Sequence, residues 1–201
     1  MIPLRTQVKF FLTTAEDVAN ADGIDLAAFA PVFQRWIQQK SLEGQLVDVA
    51  DYRHVFEGPS IVLIGHDSDY TIENRAGRLG LLYTRKRQTD PDLPTQLRTS
   101  IRLALTAARL LESEKSFTPR LKFRGEEFEL RFADRLQLPN KPESVALVRN
   151  DLSAVLTELY GEDGAYALPV KQDSRYPLTF KIKADEEVSV TDLLLRQPVA
   201  K

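Results

Sequence analysis

Between residues 46 and 86 the chain reads "LVDVAD", "SIVLIG", "YTIEN" and "LGLLYTRK", four extended runs separated by "FEGPS", "HDSD" and "RAGR". This succession restricts the fold more than any other feature. Each separator is rich in residues that tolerate tight backbone geometry, and a short turn returns a strand alongside its predecessor. "IVLIG" is apolar at every position and is expected as a central strand covered on both faces, whereas its neighbours are expected to be half-exposed.

Helical periodicity appears between the groups of strands. Leu26, Phe29, Ala30, Phe33, Trp36 and Ile37 form one apolar stripe after a candidate cap at Asp25, and Pro31 marks either the start of the regular helix or a bend in it. Leu97, Ile101, Ala104, Leu105, Ala108 and Leu111 form a second, opposite Arg98, Arg102 and Arg109. A third runs from Val145 to Leu159, with Asn140 as cap, Glu143 three positions later and Gly161 as stop. "VKFFL" predicts a strand with Val8, Phe10 and Leu12 on one face, followed by the polar connector "AEDVANADG". "LKFRGEEFELRF" predicts a hairpin about Gly125 with one wet face, "YALPV" and "PLTFKIKA" a further pair, and "VTDLLL" a short closing helix. The expected class is α+β, a mixed, largely antiparallel sheet with three main helices. We expect one compact unit over residues 1–201, with two lobes meeting near residues 90–94 as the alternative.

The chain has no cysteine, which excludes disulfides, thiolate zinc sites, iron–sulfur ligation and cysteine nucleophiles together. Its opening apolar run is broken by Lys9 and followed by acids, unlike a signal peptide, and no window approaches the roughly twenty apolar residues of a membrane span. The expectation is a soluble cytoplasmic chain with no membrane contact. The net charge of −2 hides an uneven distribution: residues 1–74 carry −6, residues 75–131 carry +6 and residues 132–201 carry −2. An anionic partner is therefore expected at the middle of the chain.

Three places could carry chemistry or binding. His54, with Asp51, and His66, with Asp67 and Asp69, stand at the ends of neighbouring strands; two imidazoles and a carboxylate can ligate a divalent metal or do acid–base work. No "HxxxH" or "HExxH" spacing supports this, and Asp67, Ser68 and Asp69 are also ordinary turn-formers. The second place is the basic stretch around Arg75, Arg78, Arg85, Lys86 and Arg87, where Tyr83 is a candidate for stacking on a base. The third is "RFADRLQLPN", where Asp134 and Arg135 either hold a substrate or brace a turn.

Other signals narrow the choice. The phosphate-binding and serine-elbow motifs "GxxxxGK[ST]", "GxGxxG" and "GxSxG" are all missing, and no cofactor is expected. In the second half Phe123, Phe128, Phe132 and Phe180 alternate against Lys122, Arg124, Glu129, Arg131, Lys181 and Lys183. A solvent face built from the charged set lacks the exposed aromatics of an RNA-stacking sheet, which counts against nucleic acid as the partner.

The strings "LVDVADYRHV", "IVLIGHDSDY", "GRLGLLYTRKR" and "FADRLQLPN" resemble a group of soluble bacterial proteins to which no activity is assigned. The resemblance spans most of the chain and implies a bacterial, cytoplasmic source. The expected function is a non-catalytic module that recognises another macromolecule, protein before nucleic acid, through its central basic surface. The alternatives are a metal-dependent or acid–base enzyme using the two histidines and nearby aspartates, and a weak nucleic-acid binder.

Overall fold

The structure, a computed structural model, describes residues 3–13, 24–55, 58–87, 90–117, 120–170 and 173–197. The connector expected at residues 15–23 lies outside them. Among the described residues, strands β1 (Thr6–Leu12), β2 (Leu46–Asp51), β3 (Ile61–Gly65), β4 (Ser68–Arg75), β5 (Arg78–Arg85), β6 (Phe123–Phe132), β7 (Ala165–Pro169) and β8 (Leu178–Ala184) form one sheet. Its order is β2-β3-β4-β5-β1-β6-β8-β7. Every pairing is antiparallel, and with its helices the fold is α+β.

Helices α1 (Phe29–Gln39), α2 (Leu93–Ser113), α3 (Pro142–Tyr160) and the short α4 (Val190–Arg196) pack on the same face of the sheet. Strand β1 lies in the middle and supplies that face with Val8, set between Tyr83 and Leu130, and Phe10, set between Leu81 and Phe128. The Phe10 and Phe128 ring centroids are 5.0 Å apart. Over them lies α2, whose Leu97, Ile101, Ala104, Leu105, Ala108 and Leu111 are fully buried. Burial of each large aliphatic side chain here is worth about 1.5–3 kcal/mol. On the outer side of α2, Arg98 pairs with Glu158 at 2.6 Å and Arg102 with Glu43 at 2.9 Å. No helix among the described residues is long and apolar enough to cross a membrane.

The helix starts follow local chemistry. Asp25 accepts a hydrogen bond from the Ala27 amide at 2.8 Å and caps a 3-10 turn, Leu26–Ala28, that leads into α1; Pro31 therefore sits in the first turn, where its missing amide proton costs nothing. Asp92 caps α2 by accepting from the Thr95 amide at 2.8 Å.

Three local expectations are corrected. β3 is covered by helices on one face only: Ile61, Leu63 and Gly65 are buried, while Val62 and Ile64 are partly exposed. The N-cap position of α3 is Lys141, and the Asn140 amide instead donates to the Pro177 carbonyl at 3.4 Å. Residues 123–132 form one strand, not a hairpin. Gly125 stands inside that strand because the backbone of Val188 crosses it: a Cβ at this position would lie 2.2 Å from the Val188 carbonyl oxygen. A glycine in a strand marks either a turn or such a close approach. Gly125→Val is expected to cost about 1–3 kcal/mol through overpacking, measured by urea denaturation. A loss no greater than that of the exposed Ser153→Ala would reject the close-packing account.

Candidate functional site

Among the described residues no helix packs on the second face of the sheet. Strand register fixes what it displays: Gln7, Lys9 and Phe11 of β1 lie beside Thr84, Leu82 and Gly80 of β5, and these in turn lie beside Thr71 and Glu73 of β4. On the other side Gln7 and Lys9 oppose Arg131 and Glu129 of β6, which oppose Thr179 and Lys181 of β8. Phe11 and Leu82 are buried hydrophobics that stand outside the helix-covered core.

Long charged side chains cover this face in place of helices. Lys9 has a side chain only 1% exposed; its Nζ donates to Glu73 Oε2 at 2.8 Å and to the Arg78 carbonyl at 2.9 Å. Its path crosses β5 at Gly80, where a Cβ would meet the Phe10 carbonyl oxygen at 2.3 Å and Lys9 Cε at 3.1 Å. Arg131 donates to both Glu73 and Glu129, at 3.2 and 2.8 Å. Arg78 forms a bidentate pair with Glu127, both bonds 2.8 Å, and its guanidinium lies 3.5 Å from the centre of the Phe11 ring, a cation–π contact.

Burial sets the electrostatics. It pushes the Lys9 ammonium below its ordinary pKa, against the attraction of Glu73. It pushes the Glu73 carboxyl up, but Lys9 and Arg131 outweigh it and hold Glu73 below its ordinary value. Glu127 is likewise held down, by Arg78, despite its burial.

Two cavities adjoin on this face and share Arg75 and Ala76. One, about 430 Å³, has Lys9, Phe11, Arg78 and Arg131 at its base and Tyr176, Pro177 and Lys181 in its walls. The other, about 500 Å³, is bordered by Gln7, Val62, Thr71, Glu73, Leu82 and Thr84. Both volumes are in the range of ligand clefts. Around them stand the cations Lys9, Arg75, Arg78, Arg124, Arg131, Lys181 and Lys183 and the carboxylates of Glu73, Glu127 and Glu129. Glu73 and Glu129 are engaged by the buried Lys9 and Arg131 and Glu127 by the partly exposed Arg78, whereas Arg75 and Lys181 make no ion pair among the described residues. The face is thus neutral at its base and cationic at its rim.

The residues singled out from sequence divide among several places. Arg75 and Arg78 reach the cavities. Tyr83 and Arg85 point to the helix side: Tyr83 is fully buried with its ring 5.2 Å from that of Tyr70, and Arg85 pairs with Asp90 at 2.7 Å. Tyr83 cannot stack on a bound base. Lys86 is tied to the Gly65 carbonyl and to Asp69, and Arg87 lies exposed 3.8 Å from Asp67. The histidines are not brought together. Asp51 pairs with Ile61 and Leu46 with Gly65, so His54 follows one end of the β2–β3 hairpin and His66 the other, roughly 13 Å away at about 3.3 Å per residue. His66 Nδ1 lies 3.0 Å from Asp67 Oδ1, while Asp51 is bound by Arg53, whose hydrogen bonds hold its carboxyl down at about 2. Among the described residues no group of three histidine, cysteine or acidic side chains is placed to hold a metal.

Asp134 and Arg135 brace the structure. Asp134 accepts from the Leu4 and Gln137 amides, at 3.0 and 3.2 Å, and Arg135 donates to the Arg175 carbonyl at 2.8 Å, steadying the loop that carries Tyr176. The sequence reading missed Lys9, Phe11, Glu73 and Tyr176 and took Arg131 for a solvated surface residue. The one available signal was Lys9 itself, a lone charge in the apolar strand "VKFFL". Comparison of the chain with family models, with curated proteins and with solved structures found no match.

Glu73→Gln leaves Lys9 and Arg131 short of a charge and is expected to cost about 3–5 kcal/mol in chemical denaturation. The folded pKa of Glu73 lies below its unfolded value, so its contribution is complete above roughly pH 4.3 and is lost as pH falls through the folded value. The acid limb of the stability curve is therefore expected to be shallower in Glu73→Gln than in the native protein. Parallel limbs would remove Glu73 from the acid response.

Proposed function

We propose that the protein is a non-catalytic recognition module that docks an acidic region of another protein on the uncovered face of its sheet. The observation that carries this reading is the pair of cations Arg75 and Lys181 at the rim of the first cavity, Arg75 being shared with the second, which make no ion pair among the described residues. Exposed apolar groups lie close by. Tyr166 and Leu168 of β7 stand opposite Lys183 and Lys181, and Tyr176 is 54% exposed at the cavity edge. A surface that mixes aromatic groups and arginine with a polar rim is the usual composition of a protein interface. Protein is favoured over nucleic acid because Glu73, Glu127 and Glu129 already engage Lys9, Arg78 and Arg131, leaving few cations to track a phosphate chain.

The test compares proteins retained from cell extract by the native chain, by the double variant Arg75→Glu/Lys181→Glu and by Arg109→Glu, which reverses an exposed charge on α2. A partner retained by the native chain and by Arg109→Glu, but weakened about tenfold or more by the double reversal, is the expected result. Identical retention by all three proteins would overturn the proposal.

A further inference from the structure

We infer that the acidic region is a short linear segment bearing one large apolar side chain, which enters the cavity between Phe11 and Tyr176 while its flanking carboxylates meet Arg75 and Lys181. This inference rests on the uncovered face being the docking surface, and it specifies what that surface accepts.

The geometry separates a linear segment from a second folded surface. The cavity is a half-open recess of about 430 Å³; its apolar wall is made by Val170, Tyr176 and Pro177, and Phe11 lies at its base. One aromatic side chain, which needs about 150 Å³, takes up roughly a third of this space and leaves water chiefly against Val170, Tyr176 and Pro177, with the backbone and neighbouring residues of the segment in the remainder; Phe11 below is already covered on one face by the Arg78 guanidinium. An extended segment presents an apolar side chain with acids a residue or two to either side, whereas a folded surface reaches this recess only where a single side chain projects. The two unengaged cations come from different walls, Arg75 from the end of β4 and Lys181 from β8, so an acid on either side of the apolar anchor finds one. At the base of the cavity, Lys9 and Arg131 are satisfied by Glu73 and Glu129, which makes the base a poor place for an extra anion and a good one for an apolar group. Charge complementarity thus works at the rim and desolvation at the centre, the division that gives peptide-recognition grooves their specificity.

The experiment titrates the full chain into fluorescein-labelled peptides and follows anisotropy. The probes are a glutamate peptide with one central phenylalanine, the same peptide with central alanine, its glutamine analogue, and single-stranded oligothymidylate. The phenylalanine peptide is expected to bind about tenfold or more tightly than the alanine peptide, as removal of a buried aromatic group implies. Its affinity is expected to fall with added salt and in the glutamine analogue. Tyr176→Ala is expected to abolish the preference for phenylalanine while keeping the salt dependence, and Lys181→Gln to weaken both glutamate peptides alike; both side chains lie at the surface, and thermal unfolding verifies that each variant folds. Equal affinity for the phenylalanine and alanine peptides, or tighter binding of oligothymidylate, would overturn the inference. If the peptides fail to bind while Arg75→Glu/Lys181→Glu still loses its partner in the extract experiment, the linear-segment inference falls and the docking surface stands. If the extract experiment shows no loss either, both fall.

Discussion

Lys9 lies beneath a face of the sheet that no helix among the described residues covers, and its ammonium still has almost no contact with water. An ion in that position costs several kcal/mol unless its surroundings replace the lost hydration. The surroundings here are Glu73 of β4, a carbonyl of β5 and, 5.4 Å away, the Phe11 ring. Glu73 in turn is buried enough to need Arg131 of β6 as well as Lys9. One requirement leads to the next across four neighbouring strands, and each link depends on register. A slip of one residue in β1 would carry Lys9 into the helix-covered core and expose Phe10. Gly80 belongs to the same neighbourhood: a Cβ there would lie 2.3 Å from the Phe10 carbonyl oxygen, and it would also crowd the lysine stem at 3.1 Å.

A wide sheet covered on one side must make its other face compatible with water, since a large exposed apolar patch would attract a second layer. Well-packed apolar residues commonly do as well as buried ions in stability alone, but they would leave this face adhesive. The ionic network makes it water-compatible while keeping Phe11 and Leu82 out of solvent. Because the buried charges balance one another, any selectivity passes to the rim. There Arg75 and Lys181 make no ion pair among the described residues, so their charge faces solvent.

Elements that depend on local periodicity were legible in the sequence. The α2 stripe, the alternation that turns Phe128, Phe132 and Phe180 toward the helices, and the turns linking β3, β4 and β5 could all be read along the chain. Gly125 was misread because a glycine in a strand has two meanings, and the second depends on Val188, far along the sequence. Asn140 has the spacing of a cap, yet its amide is drawn to Pro177. The site was less legible than the fold. A charged residue in a strand ordinarily signals solvent, and nothing near Lys9 in sequence announces Glu73 or Arg131. The basic run near residue 85 was conspicuous, but strand alternation and the bonds of Lys86 divide it between a buried ion pair, a turn clamp and open solvent. Arg75 and Arg78, at the two ends of one tight turn, are the members that reach the cavities.

The central position of β1 also has a kinetic side. Phe10 pairs with Leu81 on one flank and with Phe128 on the other, so the strand made first among those described waits longest for its partners. A ribosome-bound chain that has reached the end of β5 can form the β2–β5 meander and attach β1 to it, but the other edge of β1 stays unpaired, with its hydrogen-bonding groups open, until β6 emerges. Pairings so distant in sequence make folding slow and leave a strand edge exposed meanwhile. Lys9, half-way along that edge, then has a second use: a charge on a waiting strand discourages pairing with another nascent chain, before the same charge is buried by Glu73 and Arg131.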